Sequence, residues 1–278
     1  MAYAAEISRA NPSCFVFLID HSGSMGDGWG GNPNTRKADS VATIVNKLLS
    51  NLVLKCAKDE GIRDYFDVGV LGYGARVGPA LGGGLVSKSI VPISELADNP
   101  LRLEERRQKQ DDGAGGIIEA PVKFPVWIEA LAKGGTPMCQ VLDRAADSVR
   151  TWTTSHPDSF PPIIFNITDG ASTDGDPASH ADRLRDLGTS DGKVLLFNIH
   201  VSDHRAAPIS FPHAAEELPD QYARSLFAMS SELTEPMRAR LASEGFSLSP
   251  GARGFVFNAD AVSVINFLDI GTRPANLR

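Results

Sequence analysis

Three oxygen-bearing side chains stand at alternate positions directly after an apolar run. Asp20, Ser22 and Ser24 follow the residues CFVFLI, in the segment DHSGSMGDGWGG. Alternate residues at the end of a strand can point the same way, so one carboxylate and two hydroxyls could share a single cation. These hard oxygen ligands favour Mg²⁺ or Mn²⁺. The glycine-rich remainder of the segment is predicted to be a loop with neither helix nor strand.

Two later segments offer oxygen ligands of the same kind. Thr136 lies in GGTPM, just before a helix that the following proline is expected to begin. Asp169 lies in TDG, after the strand-like run PIIFNI. Because hydroxyls are neutral, a ligand set built on Ser22, Ser24 and Thr136 would leave much of the charge of the cation uncompensated. Such a cation would favour one more anionic oxygen from outside the chain.

Apolar runs alternate with helical patterns along the chain. Strands are predicted at 14–20, 66–74, 162–170, 193–203 and 254–260, and helices at 37–56, 138–152, 177–187 and 261–270. Continuous apolar strands separated by helices imply an α/β fold, with a doubly wound, mostly parallel central sheet flanked by helices. Ligands of such sheets bind outside the carboxyl ends of the strands. The strand-end residues Asp20, Asp169 and Asp203 are expected at that edge.

The 278 residues are interpreted as one domain, 1–278, with two insertions. The first, near 75–125, carries a GGG triplet and the polar stretch EERRQKQDDGAGG. It is predicted to be a surface excursion whose solvated tip lies at 104–116. The second, near 204–250, is expected to form a loop and two short helices.

Composition narrows the class of protein. Hydrophobic residues make up 42% of the chain, which is enough for a sizeable core. The net charge of −7 argues against a surface for nucleic acid or for anionic membranes. Apolar runs fall short of the roughly 20 residues of a membrane span, and the N-terminus lacks the apolar core of a signal peptide. We therefore expect a cytoplasmic protein with no nucleic-acid or membrane partner.

The segments DHSGSM, GGTPM and TDG, in this order, resemble the metal-ion-dependent adhesion site of von Willebrand factor type A domains. That family's pattern is Asp-x-Ser-x-Ser, followed by a later Thr and a later Asp. The resemblance covers roughly residues 12–203, the last predicted strand and the last predicted helix. It implies a site for Mg²⁺, with Mn²⁺ or Ca²⁺ as alternatives. Three hydroxyls would contact the metal and two carboxylates would act directly or through water: Ser22, Ser24, Thr136, Asp20 and Asp169.

The resemblance also implies a function. In a metal-dependent protein-binding module of this family, the cation captures an Asp or Glu carboxylate of a partner protein. Bacterial intracellular members, including tellurite-resistance-type proteins, resemble the chain most, which implies a signalling or stress-defence complex. Trp29 either packs back onto the body or is exposed as a partner anchor. His21, between two ligand positions, is a further candidate for partner contact, and the oligomeric state stays open.

Two other functions stay open beside this one. The chain could be a scaffold subunit of a complex driven by an AAA+ ATPase, or a metal-dependent phosphohydrolase. Phosphatases of the haloacid-dehalogenase type use Asp-x-Asp after the first strand, and Ser22 occupies the second position here, which removes the usual acid/base. The chain also lacks the phosphate-binding motif G-x-x-x-x-G-K-[ST]. We therefore expect no enzymatic activity.

Overall fold

The fold is built on one central sheet, in a computed structural model that describes residues 3–30, 32–111, 117–201, 207–259, 264 and 267. Within these residues the sheet has eight strands: β1 (Ser13–Asp20), β2 (Phe66–Tyr73), β3 (Val77–Pro79), β4 (Val91–Pro92), β5 (Ile163–Thr168), β6 (Leu195–His200), β7 (Ile209–Ser210) and β8 (Phe255–Phe257). The helices of the same residues are α1 (Lys37–Cys56), α2 (Ile93–Asp98), α3 (Met138–Ser155), α4 (Ala178–Arg185), α5 (Gln221–Met229) and α6 (Glu235–Ser243).

The order of the strands creates a crevice in the middle of the sheet. The strands lie in the order β7-β8-β6-β5-β1-β2-β3, and β4 also pairs with β2. The five strands from β8 to β2 are parallel, and the short strands at the edges are antiparallel. The prediction of a mostly parallel α/β sheet is confirmed. The chain leaves β1 for β2 on one side and later enters β5 on the other, so ligands are expected between β1 and β5.

Side chains of β1 alternate between two hydrophobic layers. One layer includes α1, α2 and α6, and receives Phe15, Phe17 and Ile19. The other includes α3, α4 and α5, and receives Cys14, Val16 and Leu18. Because the sheet is covered on both faces, its strands are continuous apolar runs, and this pattern made them recognisable in the sequence.

The predicted helices agree with the observed ones, with small differences at their ends. The helix predicted at 37–56 is α1 in full. The next helix, α3, begins at Met138 as predicted and continues three residues further, to Ser155. Both short helices predicted within 204–250 are present as α5 and α6. The helix predicted at 261–270 lies mostly outside the described residues. None of the helices in the described ranges is long and apolar enough to cross a membrane.

The segment near 75–125 differs in part from the predicted surface excursion. Its first half adds β3 and β4 to the sheet, and three of its leucines are buried in the core: Leu81, Leu85 and Leu96. An antiparallel hairpin then pairs Arg102–Asp111 with Ile117–Val126, and its tip at 112–116 lies outside the described residues. Only the hairpin is a surface excursion, as was predicted for the whole segment. The apolar residues before it are too widely spaced among glycines and prolines to form a recognisable pattern.

Candidate functional site

Backbone contacts hold three loops together at the carboxyl end of β1. Lys133 N–H donates to the carbonyl of His21 at 2.6 Å, and Gly23 N–H donates to the carbonyl of Gly134 at 2.9 Å. Gly74, which directly follows β2, lies so close that a Cβ atom on it would be 2.7 Å from the oxygen of His21. The loops after β1 and β2 and the segment before α3 therefore form one packed unit beside the crevice.

Four of the five predicted metal ligands form one hydrogen-bonded cluster at this edge. Asp20 Oδ1 accepts a hydrogen bond from Ser22 N–H at 2.7 Å. The hydroxyl oxygens of Ser22 and Ser24 are 3.0 Å apart. Ser24 Oγ donates to Asp169 Oδ1 at 2.8 Å across 145 residues of sequence. The adjacency of β1 and β5 brings these residues together, as the parallel sheet predicted.

Asp20 is a fully buried carboxylate at the base of the cluster. Its Oδ2 accepts a hydrogen bond from Thr168 Oγ1 at 2.6 Å. Burial raises the pKa of Asp20 to about 6, and the hydrogen bonds from Thr168 and Ser22 oppose this rise only in part. The protein's own groups thus leave the negative charge of Asp20 undercompensated, which is the condition that a bound cation would correct.

Thr136 reaches the same edge through its backbone. It is buried, its N–H donates to Thr173 Oγ1 at 2.8 Å, and its carbonyl accepts from Thr173 N–H at 2.9 Å. Asp174, the next residue, accepts hydrogen bonds from the N–H groups of Cys139 and Gln140 in the first turn of α3. The loop after β5, which carries Asp169, therefore also positions Thr136 and the start of α3.

Lys37 is a site residue that the sequence interpretation missed. Its Nζ lies 2.7 Å from Asp169 Oδ2, and the two side chains are only 4% and 1% exposed. Lys37 is the first residue of α1 and is buried, as is Val41 one turn later. A lysine that continues the apolar stripe of a helix is the signal that could have revealed it, because a buried ammonium requires a counter-charge.

The two predicted partner contacts, His21 and Trp29, are both buried. A Cβ atom on Gly72 would overlap the ring of His21, which packs against β2. Burial lowers the pKa of His21 to about 4. Trp29 is 9% exposed, and its indole N–H donates to the carbonyl of Ala259 at 2.9 Å. Trp29 thus packs back onto the body, which is the first of its two predicted alternatives, and a partner contact of either side chain stays a prediction.

The glycine-rich segment after Ser22 has more regular structure than predicted. It forms a 3₁₀ turn at Gly23–Gly26 and a short antiparallel ribbon between Gly28–Trp29 and Asn32–Arg36. A Cβ atom on Gly28 would lie 2.5 Å from the carbonyl oxygen of Asn32. Glycine therefore permits the close approach of the two strands, whereas the sequence interpretation treated it as a breaker of structure.

The side-chain atoms of the cluster that could bind a metal are all oxygen atoms. Within the described part of the chain, no three His, Cys, Asp or Glu side chains are grouped so as to hold a metal ion. The cluster combines two carboxylates with serine hydroxyls, and such donors suit Mg²⁺, Mn²⁺ or Ca²⁺. The residues therefore fit a hard divalent cation, with Lys37 already supplying one positive charge. Asp203, which was expected at this edge, lies outside the described residues.

Comparisons with known proteins find similarity only among solved structures. No family model matches the chain, and no curated protein is similar to it. The vWF domain of the type V pili tip protein Mfa5 from Porphyromonas gingivalis is 16% identical, with a TM-score of 0.35 over 58% of this chain and 39% of that one. The ArnB paralog VWA2 from Sulfolobus acidocaldarius is 13% identical, with a TM-score of 0.37 over 70% of this chain and 36% of that one.

A third solved structure, the pilus adhesin RrgA from Streptococcus pneumoniae, is 15% identical, with a TM-score of 0.32 over 61% of this chain and 22% of that one. The match thus spans between 22% and 39% of the length of these three structures.

Proposed function

We propose that the chain is a non-enzymatic, metal-dependent protein-binding module of the von Willebrand factor type A kind. Its metal is Mg²⁺, with Mn²⁺ or Ca²⁺ as alternatives, and the residues that would hold it are Asp20, Ser22, Ser24, Thr136 and Asp169. The observation that carries the proposal is the hydrogen-bonded cluster of Asp20, Ser22, Ser24 and Asp169 at the switch point between β1 and β5. When bound, the cation supplies a positive centre with a ligand position open to the outside.

The charges in the cluster explain why the partner should be acidic. Asp20 and Asp169 carry two negative charges when ionised, and Lys37 offsets one of them. The serine and threonine hydroxyls add none. One net negative charge is less than a divalent cation requires for neutrality. A carboxylate from an Asp or Glu of the partner would complete the balance, so it is the ligand that we propose.

Specificity needs contacts beyond one carboxylate. A groove of about 440 Å³ begins at Gly170, next to Asp169, and its lining includes Met138, Tyr222 and Met229. Tyr222 is 49% exposed. Tyrosine is enriched in protein interfaces, whereas Met138 and Met229 are buried and form the floor of the groove. We propose that this groove, in place of the buried Trp29, contacts the residues that flank the partner's acidic side chain.

We propose the cellular location and the absence of enzymatic activity mainly from the sequence. The resemblance to bacterial tellurite-resistance-type members supports a cytoplasmic signalling or stress-defence complex. Ser22, at the position of the usual phosphatase acid/base, has a hydroxyl that shares a hydrogen bond with Ser24. A serine hydroxyl is itself a poor proton donor and acceptor at neutral pH, which supports a binding role.

A pull-down in Mg²⁺ and in EDTA tests this function. The wild-type chain should capture a partner from a lysate of its own organism in Mg²⁺ and lose it in EDTA. Asp20→Asn, which keeps the shape of the side chain, should capture none. Asp67→Asn is the matched control, since Asp67 is a buried carboxylate at the other end of the sheet. A partner held equally in Mg²⁺ and in EDTA would contradict the metal-dependent function.

A further inference from the structure

Both carboxylate oxygens of Asp169 already have partners within the chain. Oδ1 accepts a hydrogen bond from Ser24 Oγ at 2.8 Å. Oδ2 accepts no hydrogen bond from the described residues but lies 2.7 Å from Lys37 Nζ, in an ion pair whose two side chains are almost completely buried. A cation that approaches Asp169 therefore meets an ammonium that holds one of its two oxygens. Solvent screens so buried a pair only weakly.

The start of α1 restrains Lys37 at this place. Its backbone N–H donates to the carbonyl of Asp27 at 3.0 Å, at the end of the 3₁₀ turn that carries Ser24. Its side chain lies on the buried face of α1. Because the turn and the helix are connected in this way, the positive charge stays near the site whether or not a metal is bound.

We propose that Lys37 makes the binding of a divalent cation depend on the partner's carboxylate. The ammonium repels the cation and competes with it for Asp169, so the metal binds weakly to the free chain. An acidic ligand restores neutrality among the cation, Lys37 and the two aspartates. Metal and carboxylate then bind cooperatively, and by reciprocity each strengthens the other by the same factor. This inference rests on the proposed function and adds a regulatory residue to it.

Calorimetric titration of Mg²⁺ into three proteins tests the inference. The proteins are the wild-type chain, Lys37→Met, and the control Lys47→Met, which removes an exposed lysine from the same helix. Without a carboxylate, Lys37→Met should bind Mg²⁺ at least about tenfold more tightly than the other two. Acetate, added at matched ionic strength as a minimal carboxylate, should strengthen Mg²⁺ binding to the wild type and strengthen it less in Lys37→Met.

A second variant keeps the test valid if Lys37→Met fails to fold. Lys37→Gln retains a hydrogen-bond donor for Asp169 without the charge, and circular dichroism in EDTA reports the fold of each protein. Equal or weaker Mg²⁺ binding in folded Lys37 variants, beside a wild type that binds, would overturn the inference and leave the metal site standing. Mg²⁺ binding by the variants alone in the absence of acetate would support the inference, and a wild type that also binds no Mg²⁺ in acetate would overturn the metal-dependent function. No binding by any of the proteins would overturn both.

Discussion

The two ends of the central sheet each bury a carboxylate, in different surroundings. At the carboxyl ends of the strands, Asp20 belongs to a cluster with Asp169 and serine hydroxyls. At the opposite end, Asp67 is the second residue of strand β2. It accepts a hydrogen bond from the indole N–H of Trp152 at 2.7 Å. It lines an open cavity of about 710 Å³ that two arginines, Arg9 and Arg144, and two further aspartates, Asp64 and Asp147, also line.

Burial raises the pKa of both carboxyl groups, so this property does not distinguish the two sites. The neighbours do. The hydroxyls beside Asp20 can rotate and offer lone pairs to a cation, whereas the indole N–H beside Asp67 can only donate. A buried aspartate is therefore a candidate metal ligand only where its neighbours can also accept. This difference makes Asp67 the natural control for Asp20.

The largest expected effect comes from removing Asp169. In EDTA, Asp169→Ala leaves the buried ammonium of Lys37 without its counter-charge and should lower the free energy of unfolding by about 3–5 kcal/mol. Asp67→Ala should cost less, about 1–3 kcal/mol, because it leaves one indole N–H unpaired. Urea denaturation measures both values. The double variant Lys37→Met/Asp169→Ala should recover part of the loss, and its failure to do so would contradict the energetic role of the ion pair.

The second largest effect is expected on Mg²⁺ affinity, which should depend on Asp20 and not on Asp67. Asp20→Asn should weaken Mg²⁺ binding by about 100-fold, or about 2.7 kcal/mol, because a charged ligand becomes neutral. Thr168 can turn its hydroxyl to accept from the new amide, so the fold should persist. Asp67→Asn should leave the calorimetric affinity unchanged. If both variants lose Mg²⁺ equally, the distinction between the two ends of the sheet is wrong.

A smaller effect is expected at Thr136, whose hydroxyl is a neutral ligand. Thr136→Ala should weaken Mg²⁺ binding by about tenfold, or about 1.4 kcal/mol. The backbone hydrogen bonds with Thr173 are retained in this variant, so the melting temperature in EDTA should change little. Thr154→Ala, at an exposed position in α3, is the control. Unchanged Mg²⁺ affinity in Thr136→Ala would remove this residue from the ligand set.

The smallest effect is the pH dependence that Asp67 adds to stability. Burial raises the pKa of Asp67 in the folded chain, and the hydrogen bond from Trp152 lowers it in part. The folded chain then binds the proton more tightly than the unfolded chain does, so stability falls as pH rises from the ordinary carboxyl pKa through the folded one. Urea midpoints between about pH 4 and about pH 7 should show this decline relative to Asp67→Asn. Parallel curves for the two proteins would contradict it.

The elements that carry the site could be predicted from the sequence by itself. A parallel sheet that is covered on both faces has strands that are continuous apolar runs, and their ends are marked by the first polar residues. That pattern predicts that Asp20 and Asp169 lie at one edge of the sheet. The apolar stripes likewise predicted where α1 and α3 begin. These features depend on residues within a few positions of one another, which the sequence records directly.

Only the tertiary structure decided which side chains meet at that edge. Lys37 faces Asp169, and Trp29 donates to the carbonyl of Ala259, across separations that no local pattern spans. Local periodicity shows that a residue is buried, but its partner depends on how helices and loops pack over the sheet. The start of α1 had to lie beside the loop after β5 before the ammonium of Lys37 could become part of the site. A buried charge or indole N–H must find a partner wherever packing provides one, and that partner is set by the fold as a whole.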